Sequence, residues 1–185
     1  MSKPVKQTPI ENRLLAALPR EAYERLLSKS HSVSLTFDEI LYAPEEPIQY
    51  VYFPRNCVIS VLYTMEDGAT SEVGLVGNEG VLGIRILFGA VTTPQHSVVR
   101  IAGKALRVKA DALKEELRFG SPIQNLLLRY TQALLTQLRQ TAACNSLHTI
   151  DKRLCRELLM MHDRVESNKL ALTHETLARM LGTQR

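Results

Sequence analysis

The sequence predicts an α+β fold in which an antiparallel β-roll, or jelly roll, is followed by helices. Three observations carry that reading. From about Val33 to Val108 apolar residues alternate in short runs separated by Gly, Pro and Asn, with no helical period between them. From Ser121 onward the period changes to steps of three and four. The chain has 185 residues, of which 45% are hydrophobic, enough to bury one large core or a medium core with a smaller attachment.

The elements follow in order. In "IENRLLAALPREAYERLLSKS" the residues Ile10, Leu14, Leu15 and Leu18 recur at helical spacing, Pro19 interrupts, and Tyr23, Leu26 and Leu27 resume, which predicts a short helix pair. "YVYF" is an aromatic and β-branched strand closed by Pro54. "CVISVLYT" alternates Val58, Ser60 and Leu62 on one side with Ile59, Val61 and Tyr63 on the other, and Asp67-Gly68 marks a hairpin turn after it. "HSVVRIAGKALRVKA" predicts two more strands around Gly103, for about eight in all, and "DALKEEL" a brief helix. "SPIQNLLLRYTQALLTQLRQTAACN" opens with Ser121 as N-cap and Pro122 in the first turn. Its stripe Ile123, Leu127, Tyr130, Leu134 and Leu138 runs along a helix of roughly 36 Å. That exceeds what a roll of this size covers, so a homodimer contact through residues 121–145 is expected. In "IDKRLCRELLMMHDRV" Leu154, Leu158, Met161 and Val165 face inward, and Lys152, Arg153, Arg156 and Arg164 lie on other faces. Met160 and Met161 read as core filler.

The net charge of +4 is unevenly placed. Residues 1–120 hold 14 basic and 14 acidic side chains, whereas residues 121–185 hold 9 and 5, so the last third is where a polyanion would be met. Cys57, Cys144 and Cys155 form no CxxC pair, which argues for reduced, mostly buried thiols rather than a disulfide framework or zinc ribbon. No stretch is long and apolar enough to span a bilayer, and "MSKPVKQTPIENR" lacks the apolar run of a signal peptide, so a cytoplasmic location without membrane contact is expected.

The stretch "LALTHETLARMLGTQR" reads as the first helix and the turn of a helix-turn-helix. Thr173 stands at the N-cap, Glu175 complements the helix dipole, and Leu172, Leu177 and Leu181 supply the buried side. Ala178 permits close approach of a crossing helix, and Gly182 permits the left-handed turn that follows. Leu172, Ala178 and Leu181 are therefore expected to receive a second helix.

With those parts in order, the chain resembles the Crp/Fnr family of transcription regulators, relatives of the cAMP receptor protein. The most specific match is "LTHETLARMLGTQR", similar to the family's Leu-Thr-x-x-x-Leu-Ala-x-x-Leu-Gly pattern. The resemblance implies three parts: a cyclic-nucleotide-binding-like sensor roll over 1–120, a dimerisation helix over 121–145, and a partial winged helix-turn-helix over 146–185. It implies a DNA-facing set of Thr173, His174, Glu175, Thr183, Gln184 and Arg185. Thr173 and His174 fall where the family's first helix approaches phosphates, and Arg185 where a guanine-reading arginine opens its recognition helix. The family continues with further recognition helix and a wing, so weak or no DNA binding is expected of these residues alone.

The resemblance also places an effector site at Gly80, Val81, Leu82, Gly83, Gln95, His96 and Ser97. Val81 and Leu82 stand where the family has a Gly-Glu pair for the ribose, and Gln95 and His96 where it has an Arg-Ser pair for the phosphate. A buried phosphate without a guanidinium is costly, so cyclic AMP is not the expected effector, whose identity stays unknown. Around Leu138 and Arg139 there is no Thr/Ser pair for a purine, and Arg85 and Arg100 are expected to be solvated. No iron-sulfur or haem ligand set is legible, and no metal site is expected. A jelly-roll enzyme would need clustered histidines, but His31, His96, His148, His162 and His174 are scattered, so no catalysis is expected. The alternative function is a dimerising sensor that acts through a protein partner without DNA.

Overall fold

The computed structural model describes residues 11–165, 170 and 172–182, apart from the side chains of Glu175 and Arg179. Two short helices, α1 (Arg13–Ala16) and α2 (Arg20–Ser28), lead into strands β1 (Ser30–Leu35), β2 (Ile40–Tyr42), β3 (Tyr50–Pro54), β4 (Val58–Thr64) and β5 (Thr70–Val76). A 3-10 turn (Ile84–Phe88) precedes β6 (His96–Ile101) and β7 (Gly103–Lys109), and four helices follow: α3 (Ala110–Glu116), α4 (Pro122–Leu147), α5 (Ile150–His162) and α6 (His174–Leu181). Two antiparallel sheets, ordered β1-β7-β3 and β2-β6-β4-β5, face each other. The described residues contain seven strands rather than about eight. Pro47 with Thr92 and Tyr52 with Leu82 form only isolated bridges, because Pro44, Pro47, Gly83, Gly89 and Pro94 interrupt any longer ladder there.

The core lies between the sheets. Val51, Phe53, Ile59, Val99 and Val108 are almost fully buried, and Leu26, Leu113, Ile123 and Leu127 close it from the helical side. Each such side chain contributes about 1.5–3 kcal/mol. Asn12, which the sequence did not single out, ties this end together. Its Oδ1 accepts from Leu15 N at 2.9 Å, capping α1, while its Nδ2 donates to Pro54 O at 2.7 Å and Gly80 O at 3.0 Å. The hairpin at Asp67-Gly68 forms as expected, with Asp67 Oδ1 accepting from Ala69 N at 2.9 Å.

Ser121 caps α4, accepting from Gln124 N at 3.1 Å, and Pro122 opens the helix. At 26 residues α4 is about 39 Å long. The stripe expected to meet a second copy is largely spent on the chain's own roll. Ile123 and Leu127 are buried, Tyr130 packs on the core, and Leu134 and Leu138 border a cavity. The leucines left open on α4 are Leu128, Leu135, the terminal Leu147 and, in part, Leu138. The thiols are all free, but only Cys57 and Cys144 are buried; Cys155 is exposed on α5, whose amphipathic face turns it outward.

The last two helices return to the roll. Val58 and Leu75, on the outer face of the four-stranded sheet, form a second apolar cluster with Met161 and Met180, joined by Met160, Val165, Leu172 and Leu177. Here Met160 and Met161 fill core, as their side-chain chemistry suggested. Arg164 departs from expectation: it is buried and pairs with Glu79 at 2.8 Å, because the end of α5 is pressed against Gly77 of the roll.

Candidate effector cavity and helix-turn-helix

Between the inner face of the four-stranded sheet and α4 lies a cavity of about 310 Å³, within the range of small-molecule sites. Strand pairing builds it. Ser97 of β6 sits between Tyr42 of β2 and Val61 of β4, and all three side chains border the space. In β5 the register places Gly74 opposite Val61 and Glu72 opposite Leu62, leaving Val73 as an extra residue. This bulge sends Val73 into the cavity wall while Glu72 stays on the outer face. Leu134, Leu135 and Leu138 of α4 close the far side.

Of the seven positions expected at an effector site, the cavity brings together Val81, Leu82, Gly83, Gln95 and Ser97. Gly80 is not in the wall: the Tyr130 hydroxyl presses against it, so a side chain there would collide with α4. His96 is not in the wall either. It pairs with Leu62, and strand alternation turns it to the face opposite Gln95 and Ser97. Gly83 has φ +99°, and a Cβ would lie 2.5 Å from the Tyr42 hydroxyl, so only glycine fits this turn. Sequence reasoning missed Tyr42, Thr93, Tyr130 and the valines of β4 and β5, since their common wall exists only once three strands and α4 are assembled.

The polar groups on the wall are nearly all neutral. Tyr42 Oη donates to Tyr50 O at 2.6 Å, and burial pushes the Tyr130 phenol up to about 12. Thr93 Oγ1 donates to Gln95 Oε1 at 3.2 Å. Arg85, the charged residue on the wall, is exposed to solvent. Arg100, expected to be solvated, is instead buried on the outer face of the sheet and pairs with Asp38 at 3.0 Å. Among the described residues no buried side chain of this wall carries a positive charge.

At the other end, Thr173 caps α6, with its Oγ1 accepting from Thr176 N at 3.1 Å, and Gly182 takes φ +61° at the turn. Thr173 and His174 are exposed. Thr183, Gln184, Arg185 and the side chain of Glu175 lie outside the described residues. The face of α6 expected to await a second helix is mostly taken already. Leu181 is buried, Leu172 packs on the outer apolar cluster, and Ala178 is half-buried. The reason is the apolar outer patch of Val58 and Leu75, which strand alternation leaves on the sheet and which α6 covers.

Beneath α5 and α6 lies a buried charged cluster. Glu72 accepts from Ser60 Oγ, and Glu157 of α5 pairs with its neighbour Arg156. Burial chiefly pushes the Glu72 carboxyl up to about 7; the Ser60 bond, Arg100 and Arg164 act against the shift, and Glu157 adds to it.

No family model matches the sequence, and no curated protein matches it. Solved structures do share its fold. The c-di-GMP-responsive global regulator CLP of Xanthomonas campestris has 17% identity and a TM-score of 0.73, over 90% of this chain and 86% of its own. FixK2 of Bradyrhizobium japonicum has 19% identity and a TM-score of 0.70, over 83% and 78%. A putative Crp/Fnr family transcriptional regulator of Eubacterium rectale has 12% identity and a TM-score of 0.76, over 95% and 82%. The fold is thus the cyclic-nucleotide-binding-like jelly roll with appended helices found in Crp/Fnr regulators, as the motif order implied.

Proposed function

We propose that this chain is a DNA-binding transcription regulator of the Crp/Fnr type, in which an effector-sensing roll controls a C-terminal helix-turn-helix. The observation that carries the reading is the succession of parts in one chain: a roll with an internal cavity, a long helix forming one wall of it, and a Thr-capped helix ending in a left-handed glycine. The fold shared with CLP and FixK2 over most of their lengths supports it. Residues 1–120 act as sensor, 121–145 as the homodimer helix and 146–185 as part of the DNA-binding unit. Thr173 and His174 meet phosphates, and Glu175, Thr183, Gln184 and Arg185 complete the DNA-facing set.

The mechanism follows from which element touches which. Leu134, Leu135 and Leu138 face the cavity, so an occupant pushes on α4 directly, and α4 leads within three residues to α5. The packing of α5 and α6 on the sheet is the arrangement such a push would alter, and two repositioned helices about 34 Å apart match successive major grooves. Selection from random duplex DNA tests the proposal. A two-fold motif whose enrichment falls with Thr173→Ala and with rising salt is expected. Failure to enrich any motif overturns the proposal.

A further inference from the structure

The cavity wall holds a polar group that folding leaves unused. Ser97 is about 1% exposed, its hydroxyl borders the cavity, and it has no hydrogen-bond partner among the described residues. It is not among the sealed, unpartnered polar atoms of the core, so the hydroxyl is open to whatever occupies the cavity. Beside it Gln95 commits its Oε1 to Thr93, while its Nε2 has no partner among the described residues. Two donors thus converge on space otherwise bounded by Val61, Val73, Leu134 and Leu138.

From this pair we infer that the cavity binds a neutral, mainly apolar small molecule bearing one hydrogen-bond-accepting head, a hydroxyl or carbonyl oxygen, held by Ser97 and Gln95. The inference rests on the sensor reading above and gives its ligand a chemical class. Size agrees with that class, because the cavity of about 310 Å³ lies at the small end of ligand sites, roughly 300–1,000 Å³. Charge agrees as well. The one cation on the wall among the described residues, Arg85, is exposed to solvent, so an anionic head between Ser97 and Gln95 would lack a buried counter-charge, whereas a neutral oxygen satisfies both donors at little desolvation cost. The apolar body of the ligand would lie against Leu134 and Leu138, which couples occupancy to the position of α4.

The test uses N-phenyl-1-naphthylamine, an uncharged probe whose emission rises in apolar surroundings, with 1-decanol, decanoate and cyclic AMP as competitors. Saturable binding of one probe per chain is expected, displaced by decanol at least about tenfold more readily than by decanoate near neutral pH, and not displaced by cyclic AMP. Ser97→Ala separates ligand binding from folding. Removing an unpaired hydroxyl should leave the melting temperature unchanged or raised, yet weaken decanol competition about fivefold or more. The inference is overturned if no probe binds, if cyclic AMP or decanoate competes as well as decanol, or if Ser97→Ala leaves decanol competition unchanged. A protein that selects DNA sites but fails these binding tests loses only the ligand class. One that passes them but selects no DNA loses only the regulator reading.

Discussion

The substitution Glu72→Gln tests the packing of the C-terminal helices on the roll most directly. Glu72 lies on the outer face of β5, accepts from Ser60, and faces Glu157 of α5 with Arg100 and Arg164 nearby. Burial raises its carboxyl from the ordinary 4.5 to about 7. Between those two values the folded protein holds a proton that the unfolded chain has released, so the contribution of Glu72 to stability falls as pH rises. The loss begins near 4.5, is complete a little above 7, and is constant beyond. That interval corresponds to roughly 3 kcal/mol, which the partial accessibility of the residue reduces to about 1–3 kcal/mol. Glutamine carries no charge at any pH and still offers Ser60 a carbonyl oxygen. Urea unfolding of both proteins at about pH 5 and about pH 8 should therefore show the variant gaining about 1–3 kcal/mol on the parent between the two conditions. Titrating groups not coupled to Glu72 cancel in this comparison. Parallel stability curves, with the same gap at both values, would refute the reasoning.

Three further outcomes follow from the same geometry. Asn12→Ala removes the α1 cap and two buried donor bonds to Pro54 and Gly80, and should lower the unfolding free energy by about 2–4 kcal/mol in chemical denaturation. If the proposed dimer forms through the leucines left open on α4, Leu128→Glu combined with Leu135→Glu should shift sedimentation from dimer to monomer at tens of micromolar while far-ultraviolet dichroism is unchanged. Thr173→Ala should cost about 1 kcal/mol locally and appear as faster amide exchange in the first turn of α6, with the roll unaffected.

Local patterns were legible in the sequence wherever a residue's conformation depends on near neighbours. Ser121 and Thr173 as caps and Asp67-Gly68 as a turn all depend on contacts within a few residues, and each appears where expected. The wall of the cavity was only partly legible. Val81, Leu82, Gly83, Gln95 and Ser97 meet at the cavity, but His96 points away, because a one-residue step along a strand changes the face. The valine of the β5 bulge could not be read as wall, since period-two alternation carries no mark of an inserted residue.

What the sequence alone determined is the order of elements and their ends, because helix caps, turn glycines and the change from period two to period three or four are properties of adjacent residues. Only the tertiary structure decided what each apolar face meets. The stripe of α4 and the leucines of α6 are equally suited to a second chain, another helix or the chain's own roll. The choice went mostly to the roll, because Val58 and Leu75 on the outer face of the sheet, and the core beneath α4, were themselves uncovered. Amphipathicity states that a face will be buried, and only three-dimensional proximity states against what.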